Sequence, residues 1–175
     1  MKLETTKTGM KAEKYIVAIC VASALSACSS LSTQFKSADE AVDGPRARLR
    51  VSGNVLVKAV PNKDCIDWGA PGAGTVLGGI VGASGYRGRS LGMPGAEKLG
   101  RTPMGELYVA AEQPYTLVLL TTPESRQQCS VAATFVPKAD VDYDARLILE
   151  KGACVASVST VSGASVQLTR AQSCR

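Results

Sequence analysis

Polar and apolar residues alternate through much of the second half of the chain. Cys129, Val131, Ala133 and Phe135 fall on one side of their run, and Ser130, Ala132, Thr134 and Val136 on the other. Ala145, Leu147 and Leu149 likewise oppose Arg146, Ile148 and Glu150. A period of two sends successive side chains to opposite faces of a strand. The same reading predicts strands over Arg46 to Arg50, Val55 to Val60, Leu107 to Ala111, Tyr115 to Thr121 and Cys129 to Val136. It continues with Tyr143 to Leu149, Cys154 to Thr160 and Ser165 to Thr169. Gln113-Pro, Thr122-Pro-Glu-Ser, Pro137-Lys-Ala-Asp, Glu150-Lys-Gly and Ser162-Gly separate them with turn chemistry. Short strands at this spacing predict an all-β fold, a small antiparallel β-sandwich.

Ile66 to Gly105 breaks the alternation. It holds twelve of the seventeen glycines, and a loop that long inside a compact domain is commonly functional or without fixed structure. The sequence is read as a sandwich carrying a long Gly-rich loop over 66–105. One reading folds this loop over the sandwich with Leu77, Ile80 and Val81 tucked in. A sharper one makes it a docking element, with Tyr86, Arg87 and Arg89 as polar contacts and Leu91, Met93 and Pro94 as an apolar tip. Gly69-Ala-Pro-Gly-Ala-Gly74-Thr75 approaches a phosphate loop in its glycines, but Thr75 stands where the lysine belongs and no apolar strand leads in.

At the other end, Lys2, Lys7, Lys11 and Lys14 precede an apolar run of thirteen residues, Tyr15 to Ala27. Roughly twenty are needed to span a bilayer as a helix. Leu25-Ser26-Ala27-Cys28 closes the run and resembles the lipobox of bacterial lipoprotein signal peptides. The resemblance implies that residues 1–27 are a signal peptide and that Cys28 is lipidated. It further implies that Ser29 directs the protein to the periplasmic face of an outer membrane. Two or more acyl chains are needed for durable anchoring, which a triacylated cysteine supplies. Ser29 to Arg46 is polar with little periodicity, so residues 28–46 are read as lipidated N-terminus and flexible tether, and 47–175 as the domain.

Cysteine usage follows from that division. Cys65, Cys129, Cys154 and Cys174 remain, an even number in an oxidising compartment, and two disulfides are expected. Spacing alone leaves three connectivities open. Strand order favours Cys129 with Cys154, leaving Cys65 for Cys174 to pin the C-terminus beside the start of the Gly-rich segment.

Candidate chemistry is sparse. The chain has no histidine and no C-x-x-C, so neither a metal site nor a Ser-His-Asp or Cys-His pair is expected. Asp140-Val-Asp142-Tyr-Asp144 imitates the opening of a calcium loop, yet Ala145 replaces the glycine and Lys151 the bidentate glutamate. Asp64 and Asp67 beside Trp68 form a candidate carboxylate pair. Twenty basic residues against fifteen acidic are scattered along the chain, which does not make a nucleic-acid footprint.

Ala110-Ala-Glu-Gln-Pro-Tyr-Thr-Leu117, then Cys129-Ser-Val, Phe135-Val-Pro137, Asp142-Tyr143 and Cys154, resembles a pattern in small exported bacterial lipoproteins. That resemblance implies a β-fold and no activity. The function expected is a lipid-anchored binding or structural module of the envelope, without cofactor or catalysis, held to the membrane and meeting an envelope protein. The alternative is an inhibitor or immunity lipoprotein that blocks an enzyme with the Gly-rich loop.

Overall fold

The computed structural model describes residues 36–78, 84–121 and 125–175. Cys28, with the rest of the lipobox, and Ile80 and Val81 lie outside them. The described chain is all-β apart from one 3₁₀ turn, Ala96–Leu99. Its strands are β1 Arg46–Gly53, β2 Leu56–Pro61, β3 Gly74–Leu77, β4 Met104–Ala110, β5 Tyr115–Leu120, β6 Ser130–Phe135, β7 Asp142–Glu150, β8 Ala153–Thr160 and β9 Thr169–Arg170. One sheet runs β4-β1-β7-β8 and the other β3-β2-β5-β6-β9, and the two pack face to face as a sandwich. Every strand pair among the described residues is antiparallel except β1 with β7.

The alternation in the sequence sets the faces. Leu49, Leu107, Leu119 and Leu147 point between the sheets and are at most 1 % exposed. Burying each contributes roughly 1.5–3 kcal/mol. Phe135 and Tyr143 join them with ring centroids 5.4 Å apart. The Tyr143 hydroxyl accepts a hydrogen bond from the Lys138 N–H at 3.0 Å, which ties the β6–β7 corner.

A second layer covers the outer face of the five-stranded sheet. Trp68 packs there among Val60, Val118 and Ala132, with Lys58 Nζ 5.3 Å from the centre of its ring. Cys65 and Cys174 are bonded, with Cα atoms 5.1 Å apart, and staple this layer to the C-terminus. The Cys129–Cys154 disulfide joins the start of β6 to β8 and therefore ties one sheet to the other.

Two expectations are corrected. The tether does not extend to Arg46, because the chain from Lys36 onward belongs to the domain. Lys36 O accepts from Thr75 N–H at 2.8 Å and Ala38 N–H donates to Thr75 O at 2.9 Å, a parallel pairing along the edge of β3. Ala38 is 1 % exposed. Nor is 66–105 a single loop, since β3 lies within it and pairs with β2. After β3 the chain returns along the same edge, with Tyr86 N–H donating to Val76 O at 2.8 Å. It then follows β4, with Gly88 N–H donating to Met104 O at 2.8 Å. Close approach explains two of its glycines. A Cβ on Gly74 would stand 2.6 Å from Ala38 N, and one on Gly105 2.3 Å from Tyr86 O.

Candidate functional site

A cleft of about 950 Å³ opens at one end of the sandwich. Phe135 ends β6, Tyr143 is the second residue of β7, and the crossing segment through Val166 links β8 to β9, so three elements meet around it. Val136, Val141 and Val166 add apolar surface beside the two aromatic rings, while Ser165, Gln167 and Thr169 supply neutral polar groups and Asp64 and Lys138 one charge of each sign. This combination of apolar floor and a few polar groups suits binding. Thr134 is already engaged, its hydroxyl 2.6 Å from that of Thr116 and 3.3 Å from the Asp64 carbonyl. The cleft lining contains no cysteine or histidine.

A second arrangement lies on the outer face of the four-stranded sheet. Arg46, Arg48 and Arg50 alternate along β1, with acidic residues on the strands to either side. Arg48 makes two hydrogen bonds to Asp142, at 2.7 and 2.6 Å. Arg50, 1 % exposed, meets Glu106, 0 % exposed, at 2.9 Å, and Asp144 at 3.0 Å. The same guanidinium donates to the carbonyls of Met93 at 2.6 Å and Pro94 at 3.0 Å. In return the Glu106 carboxylate accepts from the N–H groups of Leu91 and Met93 and from the Ser90 hydroxyl. Burial alone would raise the Glu106 pKa. The Leu91 N–H, Arg50 and the Met93 N–H outweigh it and hold the carboxyl below its ordinary range.

This buried pair clamps the Gly-rich segment to the sheet. Met93 is 3 % exposed, so its side chain is buried and does not form the apolar tip read from the sequence. The Tyr86 hydroxyl donates to Ala38 O at 2.6 Å, and Arg89 pairs with Glu40 at 2.8 Å. Leu91 is half-buried; Arg87 is exposed, with Nη1 3.4 Å from Gly78 O. The five residues lie together on one segment, and much of their bonding capacity is spent on the domain itself.

No protein-family model, curated protein or solved structure matches this chain.

The other sequence candidates fall into structural settings. Asp142 and Asp144 are taken by Arg48 and Arg50, and among the described residues no cluster of ligating side chains gathers around them. Asp67 accepts from Lys63 Nζ at 2.9 Å and from the Gly69 N–H at 2.9 Å. The hydrogen bond from Lys63, supported by that from the Gly69 N–H, holds its carboxyl below the ordinary range. Gly74 and Thr75 of the imitation phosphate loop are strand residues in β3, with Thr75 fully buried. Cys65, Cys174, Cys129 and Cys154 are joined in the pairs that strand order favours. Sequence reasoning misses the Arg50–Glu106 clamp, although arginines at every second position of β1 are its visible trace.

Proposed function

We propose that the protein is an exported, lipid-anchored binding or structural module of a bacterial cell envelope, acting without catalysis from the periplasmic face of the outer membrane. The observation that carries the reading is the division of the cysteines. The four beyond position 28 are used in two disulfides, a pattern of oxidising compartments, and Cys28 is left at the end of a lipobox-like run. Eight residues, Cys28 to Phe35, separate the acyl chains from the first described residue. Fully extended they reach about 25 to 30 Å, so the domain works close to the leaflet that holds it.

The cleft beside Phe135 and Tyr143 is the binding surface in this proposal, and its apolar wall with a mixed polar rim, Asp64 and Lys138 included, suits an extended segment of an envelope protein. Binding there is preferred over blockade of an enzyme by the Gly-rich loop, because Met93, Tyr86 and Arg89 are committed inward.

Two measurements test the proposal. Cys28→Ser is expected to abolish incorporation of a fatty-acid label and to release the protein from the membrane fraction; retained labelling would refute the anchor. A photo-crosslinking residue at Val136, on the cleft, is expected to yield a discrete adduct in intact cells. The same residue at Glu97, on the 3₁₀ turn, is expected to yield none. Equal adducts from both positions, or none from either, would refute binding at the cleft.

A further inference from the structure

Most of the outer edge of β8 is open. β7 takes one side of the strand, and the chain covers the other side only at its end, where Val158 O accepts from the Val166 N–H at 3.0 Å and the Thr160 N–H donates to Ala164 O at 2.8 Å. Those bonds fix the parity, because backbone groups alternate in direction along a strand. The N–H and C=O of Cys154 and Ala156 therefore turn away from β7, and they have no backbone partner among the described residues. Native edges are commonly guarded by Lys or Pro, yet Ala153–Thr160 carries neither, nor any charge. Val155, at the middle of the open stretch, is 42 % exposed.

The outer face beside this edge is patterned. Register sets Arg146 next to Ser157, Ile148 next to Val155 and Glu150 next to Ala153. Arg146 and Glu150 are exposed, and neither has an ion-pair partner among the described residues.

We propose that two copies of the chain pair here, β8 antiparallel to β8 about a two-fold axis at Val155, so that two four-stranded sheets become one continuous sheet. A two-fold interface must complement itself, and this edge does so row by row. Cys154 of one copy faces Ala156 of the other, and each such pair exchanges both of its N–H···O bonds, which uses every outward backbone group of the two residues. A centre at Ala156 would instead set Cys154 opposite Val158, whose carbonyl Val166 already holds. Val155 meets Val155 as a closer, non-hydrogen-bonded pair, with an Ile148 on either flank. In the adjoining row Arg146 and Ser157 are followed by Ala153 and Glu150 of the second copy. The two charges stand three strand spacings apart, about 14 Å, which an Arg and a Glu side chain bridge over two small residues. The axis repeats the pair at the other end. Five residues a side fall well short of the roughly 20 to 30 in a stable interface, so the dimer is weak and reversible.

The test uses the full-length chain, labelled with donor or acceptor through a C-terminal tag and mixed in detergent micelles kept in excess over protein. Energy transfer is expected to rise and saturate with protein concentration, and amide exchange at Cys154 and Ala156 to slow with it. Val155→Lys sets two ammonium groups face to face and is expected to abolish both effects; it also supplies the monomeric background on which pairing at any other edge is read. Arg146→Glu and Glu150→Arg each place like charges in one row, and each is expected to weaken its own dimer about fivefold. An equimolar mixture of these two variants is expected to regain wild-type affinity, because opposite charges meet again. Absence of concentration-dependent transfer in the wild type overturns the proposal, as does undiminished transfer in folded Val155→Lys. Should Val155→Lys not fold, the mixture of charge variants decides, and no gain on mixing overturns the pairing. Slow exchange at Cys154 and Ala156 without transfer gives the edge to another occupant and overturns the dimer too. Neither the lipid anchor nor the cleft enters these readouts.

Discussion

Glu106 concentrates more consequence than any other single side chain. It is fully buried, it neutralises Arg50, and it receives the backbone of the loop that crosses the sheet. Glu106→Ala leaves Arg50 buried beside only the half-exposed Asp144, and loss of one member of a buried pair costs about 3–5 kcal/mol. Chemical denaturation is expected to show that loss, and amide exchange at Leu91 and Met93 to quicken. The pH dependence has a definite sign. A carboxyl whose folded pKa is depressed contributes stability that is present above its unfolded pKa and lost as pH falls through the folded one. Stability should therefore decline on acidification below about pH 4, and Glu106→Gln should flatten that limb while lowering the plateau. No hydrophobic pattern announces such a residue. In sequence Glu106 is one acid beside a glycine, and only the register of β4 against β1 sets it opposite Arg50.

At the scale of elements, legibility follows the period. β5, β6 and β7 are readable because their runs are β-branched or aromatic or split into two faces, and a one-residue slip would reverse every side chain. β3 is not, since Gly74, Thr75, Val76 and Leu77 are all buried and offer no alternation. β9 pairs over two residues only, too few to carry a pattern. The disulfides follow from strand order because each half-cystine borders a strand or a turn between strands. Removing Cys129 and Cys154 together should cost about 3.5 kcal/mol by freeing a loop of 25 residues. The Cys65–Cys174 bridge closes 109 residues, and its loss should cost about 4 to 5 kcal/mol. Paired alanine variants compared by thermal unfolding check the order as well as the size. The cleft is not legible at all, being made where ends of non-adjacent elements converge.

Among the described residues, the chain itself covers the β3 and β4 edges of the sandwich and the end of β8. Lys36 to Ala41 and Tyr86 to Arg89 occupy the edges of β3 and β4, while Ala164 to Val166 pair with the end of β8. An open sheet edge invites pairing with another chain. A chain starting at Asp43 should therefore self-associate, detectable as a rise in sedimentation coefficient with concentration; a strictly monomeric truncation would show that the 84–89 return suffices. The N-terminal seam has a mechanical meaning too. A pull arriving from the N-terminal side reaches the bonds of Lys36 and Ala38 to Thr75 first, then the Glu40 carboxylate on Tyr108, and only afterwards β1. The same pull also draws on buried Ala38, so the seam and the core share the first load. Under tension the segment before β1 is expected to peel first, giving several residues of slack while the paired strands of the sandwich hold.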